Sequence, residues 1–195
     1  MPVPGPHLIV LEGPDGVGKS AHAARLVASL RARGIDARLF QHVGPGRGAG
    51  LVEAALHFAL ERAVMLRTEK APVVVADRWL VSNMVAFKGA TDQGEVAALR
   101  GIVEAEMAVT PEPRLGVLLA ASGEVLDARL RARGAEPSPR EMQDREVYAF
   151  FVERARADGD YMPRNGAVVD TARPQDEVAA EILALTLRAL EGVAP

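Results

Sequence analysis

Apolar residues along this chain recur with two alternating periods. Short, near-continuous runs at 8–12 (LIVLE), 73–77 (VVVAD) and 115–120 (LGVLLA) read as strands buried on both faces, and 35–40 (IDARLF) and 167–170 (AVVD) read as two further strands. Between them, apolar positions return at helical spacing over 19–33, 50–70, 92–108, 123–133, 141–157 and 175–191, with Gly34 closing the first helix. This alternation predicts an α/β fold, a doubly wound five-stranded parallel sheet with helices on both faces and ligands outside the carboxyl ends of the strands. No repeat, low-complexity linker or second domain interrupts it, so residues 1–195 are expected to form one domain. A chain of that length buries about 70% of its unfolded surface without covalent staples.

The first strand runs directly into GPDGVGKS at 13–20, which fits the pattern G-x-x-x-x-G-K-[ST]. Glycines in such a loop let backbone N–H groups turn inward around phosphate oxygens. Lys19 then reaches the β- and γ-phosphates, and Ser20 offers its hydroxyl to Mg²⁺. The helical pattern AHAARLVASLRAR follows at once, so the loop has the strand–loop–helix setting of a P-loop NTPase fold, where a helix N-terminus attracts anions.

Composition narrows the function classes. The chain has no cysteine, and its four histidines (His7, His22, His42 and His57) lack zinc-site spacing, so thiolate metal sites and disulfides are excluded. A net charge of −3 argues against a general nucleic-acid binder. The N-terminal stretch has no basic region and an uninterrupted apolar run of only four residues. That is too short for a signal or a membrane span, and a soluble, cytoplasmic protein is expected. Positive charge is local, with seven arginines against five acids between Arg129 and Arg156.

Three further features have both a chemical and a plain structural reading. Asp77-Arg78 ends the third strand, where an acid can hold Mg²⁺ and the adjacent guanidinium can grip a phosphate, or the two can serve as a cap and salt bridge. RLRARGAEPSPR at 129–140 joins two helices through a Gly/Pro-rich stretch edged with arginines, either a lid that closes over a transferring phosphoryl group or a solvated connector. Phe58 and Arg62 share a helix face, as a stacking platform and donor fork for a planar base or as a core ring with a snorkelling arginine.

In combination, EGPDGVGKS (12–20), HFALER (57–62), DRWLVSNMVAFKGA (77–90), RLRARG (129–134) and FFVERARADGDYM (150–162) resemble the thymidylate kinase family of nucleoside monophosphate kinases. The resemblance implies Mg·ATP as phosphoryl donor, a nucleoside 5′-monophosphate such as dTMP as acceptor, and a homodimer formed through helices that include 50–70 and 92–108. It implies a donor site on Gly13, Asp15, Gly16, Val17, Gly18, Lys19, Ser20 and Ala21, with Arg129 nearer the adenine and Ser20 and Asp77 at the metal. Asp15, Phe58, Arg62, Arg78, Ser82 and Phe87 are implied at the acceptor. Position 16 is glycine rather than the basic residue some members carry, which assigns transition-state charge to Arg133 and Arg140, in a lid over about 133–141. The chain departs from the family after its second strand, where it reads FQHVGPGRGAG, with Arg47 the nearest replacement for a phosphate-gripping arginine, and at Lys88. These departures predict a remodelled acceptor pocket, and a kinase with a changed acceptor is the main alternative. A GTPase-type switch would need a guanine-reading N-K-x-D motif, which is missing from the sequence.

Overall fold

The structure, a computed structural model, describes residues 6–44, 48–90, 92–158 and 166–191, with the side chains of 86–89 and 140 outside the description. Five strands form one parallel sheet: β1 (His7–Glu12), β2 (Ala37–Gln41), β3 (Val73–Asp77), β4 (Leu115–Ala120) and β5 (Ala167–Asp170), in the order β2-β3-β1-β4-β5. Seven helices are α1 (Lys19–Arg31), α2 (Leu51–Thr68), α3 (Leu80–Gly89), α4 (Gln93–Val109), α5 (Gly123–Arg131), α6 (Pro139–Asp158) and α7 (Gln175–Ala189). This is the α/β fold of P-loop kinases.

Strand alternation decides what each face buries. Ile9 and Leu11 of β1, Val73 and Val75 of β3 and Val117 and Leu119 of β4 point to one side, where Leu26 and Leu30 of α1 and Val178 and Ile182 of α7 cover them. Leu8, Val10, Val74 and Ala76 point to the other side, against Met65 of α2 and Trp79. Farther along that face, Leu118 meets Val85 of α3 and Tyr148, Phe151 and Val152 of α6. Both faces being covered explains why the central strands are apolar throughout their interiors. Each fully buried Leu or Ile side chain contributes about 1.5–3 kcal/mol.

Two expectations are corrected. Helix α3 was not expected: it packs between α4 and α6, so apolar residues lie on several of its sides and no amphipathic period shows in LVSNMVAFKG. The second strand begins at Ala37, not at 35, because Ile35 closes the end of α1, its N–H donating to Leu30 O at 3.1 Å beyond Gly34 at φ 78°.

Because all strands run parallel, the loops after β1, β2 and β3 open at one edge of the sheet. The register places Leu11 and Gln41 on either side of Asp77, so three consecutive spatial strands deliver the P-loop, Gln41 and Asp77-Arg78 to one place.

Candidate active site

The loop after β1 is shaped by backbone constraints that its glycines meet. A Cβ at Gly13 would stand 2.5 Å from Leu119 O, so no other residue fits beside β4. Gly18, at φ 98°, turns the chain into α1, whose first residues are Lys19 and Ser20. The Lys19 ammonium lies against its own loop, donating to Pro14 O at 2.9 Å and lying 3.4 Å from Asp15 Oδ1. It is buried, and burial, with Arg78 nearby, lowers its pKa to about 8 against the opposing pull of Asp15, Asp77 and Glu12. An anion entering the loop therefore meets a lysine that gains from its charge.

Ser20 Oγ donates to Asp77 Oδ2 at 2.5 Å, and Gln41 Nε2 donates to the same oxygen at 3.3 Å. Asp77 Oδ1 is buried with no hydrogen-bond partner among the described residues. A carboxylate oxygen left over beside a hydroxyl fits a hard cation such as Mg²⁺. Such an ion keeps most of its shell as water and substrate phosphate and needs only one or two protein oxygens. No group of three or more His, Cys, Asp or Glu suited to a metal occurs among the described residues.

Arg78 follows in a conformation that a non-glycine residue rarely adopts, φ 78°. Its N–H donates to Leu11 O at 2.9 Å. Its side chain pairs with Asp15 and reaches Ser82 Oγ at 3.3 Å and the Tyr148 hydroxyl at 3.4 Å. Asp15 is held below the usual carboxylate range: burial works to raise it, and Arg78 and Lys19 outweigh burial. Behind them Glu12, 3% exposed, organises the start of α3: it accepts from the N–H groups of Trp79 (2.6 Å) and Ser82 (3.1 Å), from Ser82 Oγ (2.9 Å) and from Tyr148 (3.2 Å). Burial raises the Tyr148 phenol well above its ordinary pKa, so it serves Glu12 as a neutral donor.

These groups line a cleft of about 520 Å³ that also takes in Gly16, Gly18, Ala21, His42, Phe58 and Arg133. The fold thus brings the phosphate loop, Asp77, Arg78, Phe58 and Arg133 to a single opening. Phe58 stands beside His42, ring centroids 4.7 Å apart. Val17 is fully buried below the loop, and Gly13 is against β4. Ser82 lies off the cleft lining, with its hydroxyl committed to Glu12. Arg129 sits behind the loop, donating to Gly16 O at 3.5 Å, Val17 O at 3.4 Å and Thr171 Oγ1 at 3.1 Å. The side chains of Phe87, Lys88 and Arg140, and the whole of Arg47, lie outside the described residues.

Arg62 is the main correction. Its fork does not open onto the cleft: Nε and Nη2 donate to Glu106 at 2.7 and 2.8 Å, and its Cζ lies 5.7 Å from the centroid of the Trp79 ring. Its Nη1 donates to His42 Nε2 at 3.2 Å and to Trp79 O at 3.5 Å. The pair is buried, Arg62 at 1% and Glu106 at 6% exposure, and Glu106 also accepts from Asn83 Nδ2 at 2.6 Å. Arg62 is thus neither a free donor fork nor a snorkelling side chain. No sequence motif singles out Gln41, His42, Glu61, Asn83, Glu106 or Tyr148, and Glu12 was likewise not expected at the site. Of these only Glu12 carries a sequence signal, an acid ending an apolar strand as Asp77 does.

Comparison over most of the chain finds relatives named thymidylate kinase. The chain is 32% identical over 200 residues to the thymidylate kinase of Deinococcus radiodurans, covering 90% of this chain and 94% of that protein. It is 34% identical over 202 residues to the thymidylate kinase of Leifsonia xyli, covering 89% and 91%, and 29% identical over 193 residues to a probable thymidylate kinase of Archaeoglobus fulgidus, covering 90% and 92%. No protein-family model matches the chain. A parallel sheet carrying a phosphate loop, Asp-Arg at the end of the neighbouring strand and end-to-end similarity to these enzymes together establish that the chain belongs to the thymidylate kinase family of phosphotransferases.

Proposed function

We propose that this protein transfers the γ-phosphoryl group of Mg·ATP to the 5′-phosphate of dTMP, yielding dTDP and ADP, in the cytoplasm. The observation that carries the reading is the single cleft that the phosphate loop, Asp77, Arg78 and Phe58 line together. A coupled ADP-release assay over all ribo- and deoxynucleoside monophosphates tests it; absence of a preference for dTMP would sink it in favour of a changed acceptor.

The acceptor phosphate is already ionised, so the protein has no proton to remove before an acceptor oxygen attacks the γ-phosphorus and the bond to ADP breaks. Its contribution is positioning and charge. Backbone N–H groups of residues 15–20 hold the donor phosphates, and Lys19 leaves Pro14 O and Asp15 to follow the transferring group. Mg²⁺, held from Ser20 and Asp77, would offset phosphate charge when bound. Arg78, already oriented by Asp15 and Ser82, grips the acceptor phosphate.

Phe58 provides a stacking face for the acceptor base, a contact worth about 1–3 kcal/mol in nucleic-acid sites. Phe58→Leu is therefore expected to raise the KM for dTMP about tenfold while leaving that for ATP within about twofold. Steady-state kinetics with each substrate varied decide this, and a change confined to ATP would remove Phe58 from the acceptor site.

Arg133, on the exposed turn after α5, and Arg140 are proposed to close over the charge that develops during transfer. Their alanine variants should lose kcat about tenfold or more with little change in ATP affinity. Unchanged kcat in both would leave 133–141 as an ordinary connector.

Leu56, Leu60 and Val64, one turn apart on α2, are 49%, 59% and 60% exposed, an apolar stripe suited to a second copy of the chain in a homodimer. Leu60→Asp should shift the sedimenting species from dimer to monomer, and a wild-type monomer would refute the dimer.

A further inference from the structure

We propose that Tyr148 is a positioning residue for the acceptor phosphate: from helix α6 its hydroxyl, together with Ser82 Oγ, seats the Nη1 corner of Arg78, so that the Nε–Nη2 edge of the guanidinium faces the cleft. The inference rests on the acceptor role proposed for Arg78 above and adds the group that fixes its orientation.

Glu12 sets the direction of every hydrogen bond in this cluster. A carboxylate accepts and does not donate, and Glu12 Oε1 takes the N–H groups of Trp79 at 2.6 Å and Ser82 at 3.1 Å. Its Oε2 takes the two hydroxyls, Ser82 Oγ at 2.9 Å and Tyr148 at 3.2 Å. Each hydroxyl has a single hydrogen, and both hydrogens are committed to Glu12, so each oxygen has only lone pairs left to offer. Arg78 Nη1 carries two hydrogens and donates to Ser82 Oγ at 3.3 Å and to the Tyr148 oxygen at 3.4 Å. The 3.2 Å contact between the two hydroxyl oxygens then needs no hydrogen of its own.

Neither oxygen can follow the guanidinium if it moves. Tyr148 is 2% exposed, in the core cluster of Val85, Leu118 and Phe151, and Ser82 stands in the first turn of α3 with its N–H held by Glu12. Both lie off the cleft lining, whereas Arg78 and Asp15 are on it, and Asp15 pairs with Nη2. The guanidinium is thereby held at its back corner, with the side-on edge of Nε and Nη2 toward the cleft. That edge is the one that grips a phosphate with two parallel hydrogen bonds. The backbone of Arg78 is fixed as well, by its φ of 78° and its N–H bond to Leu11 O. Little side-chain freedom is left to lose when an acceptor binds, which is the benefit of preorganisation. Because α6 begins at Pro139, inside the stretch proposed as a lid, Tyr148 also ties Arg78 to the helix that continues from it.

The test is a double-variant cycle in dTMP kinetics with Mg·ATP, on wild type, Tyr148→Phe, Arg78→Lys and the two combined. Tyr148→Phe keeps the ring in the core and removes only the hydroxyl, and Arg78→Lys keeps the charge but has no second nitrogen to seat. Tyr148→Phe is expected to lower kcat/KM for dTMP about tenfold while leaving the KM for ATP within about twofold. In the Arg78→Lys background the same change should lower it by less than about twofold, because the group that Tyr148 positions has gone. A tyrosine that serves only the core would lower activity by the same factor in both backgrounds. Equal factors, or an effect of Tyr148→Phe below about twofold in the wild-type background, overturn the proposal. Melting curves check that each variant is folded, and Tyr148→Leu replaces Tyr148→Phe in the cycle if the latter is not. Unchanged dTMP kinetics in Arg78→Lys, or a wild-type enzyme that phosphorylates no nucleoside monophosphate, overturns instead the acceptor reading beneath it.

Discussion

Replacing Lys19 with alanine is expected to lower turnover at least about a hundredfold, about 3 kcal/mol of barrier, the loss typical of removing one preorganised charge from a transferring group. The fold should survive. The lysine is desolvated in the free protein, so its removal relieves a buried charge, and the melting temperature near neutral pH should be unchanged or higher. A second readout comes from its titration. With a pKa of about 8 in the free protein, against an ordinary 10.5, Lys19 penalises stability below pH 8, and the penalty is relieved as pH rises from about 8 to 10.5. Bound phosphate favours the charged lysine, so ATP affinity should be greatest below pH 8 and weaken by up to about tenfold per pH unit above it. That dependence should disappear in Lys19→Ala. Retention of more than about a tenth of wild-type turnover, a barrier change under about 1.4 kcal/mol, would exclude Lys19 from phosphoryl transfer.

Removing Glu106 is expected to have the largest effect on stability. Glu106→Ala leaves the Arg62 guanidinium, 1% exposed, without its bidentate partner and deprives Asn83 of an acceptor. Breaking a buried pair from one side costs about 3–5 kcal/mol. For a chain of this length each kcal/mol lowers the melting temperature by about 2–4 °C, so a drop of about 10 °C is expected. The double variant Glu106→Leu, Arg62→Met should recover most of the loss, because a well-packed apolar pair avoids the desolvation penalty. Calorimetry decides the matter: a melting temperature within about 2 °C of wild type in Glu106→Ala would mean that water reaches Arg62 and solvates it.

The three central strands were legible because a strand buried on both faces leaves a continuous apolar run, and the phosphate loop was legible because its glycines answer backbone demands. The Cβ forbidden at Gly13 and the positive φ at Gly18 are local requirements met by residue type. Asp77-Arg78 could be singled out because both stand at the end of such a strand. Helix α3 escaped notice because helices on two sides erase the one-faced pattern that identifies a surface helix.

What the chain determines by itself is therefore what depends on neighbours in sequence: the period of each element, the turn that needs glycine, and the identity of a phosphate-binding loop. What only the tertiary structure decided is which side chains meet. Ser20 and Asp77 are 57 positions apart, Arg62 and Glu106 are 44 apart, and Glu12 and Tyr148 are 136 apart. Each pairing follows from strand order and helix packing rather than from any local period. Arg62 shows the consequence most clearly: helical spacing places it one turn from Phe58, but a carboxylate from α4 turns its fork inward, since a buried guanidinium must satisfy its donors with whatever acceptor the fold brings.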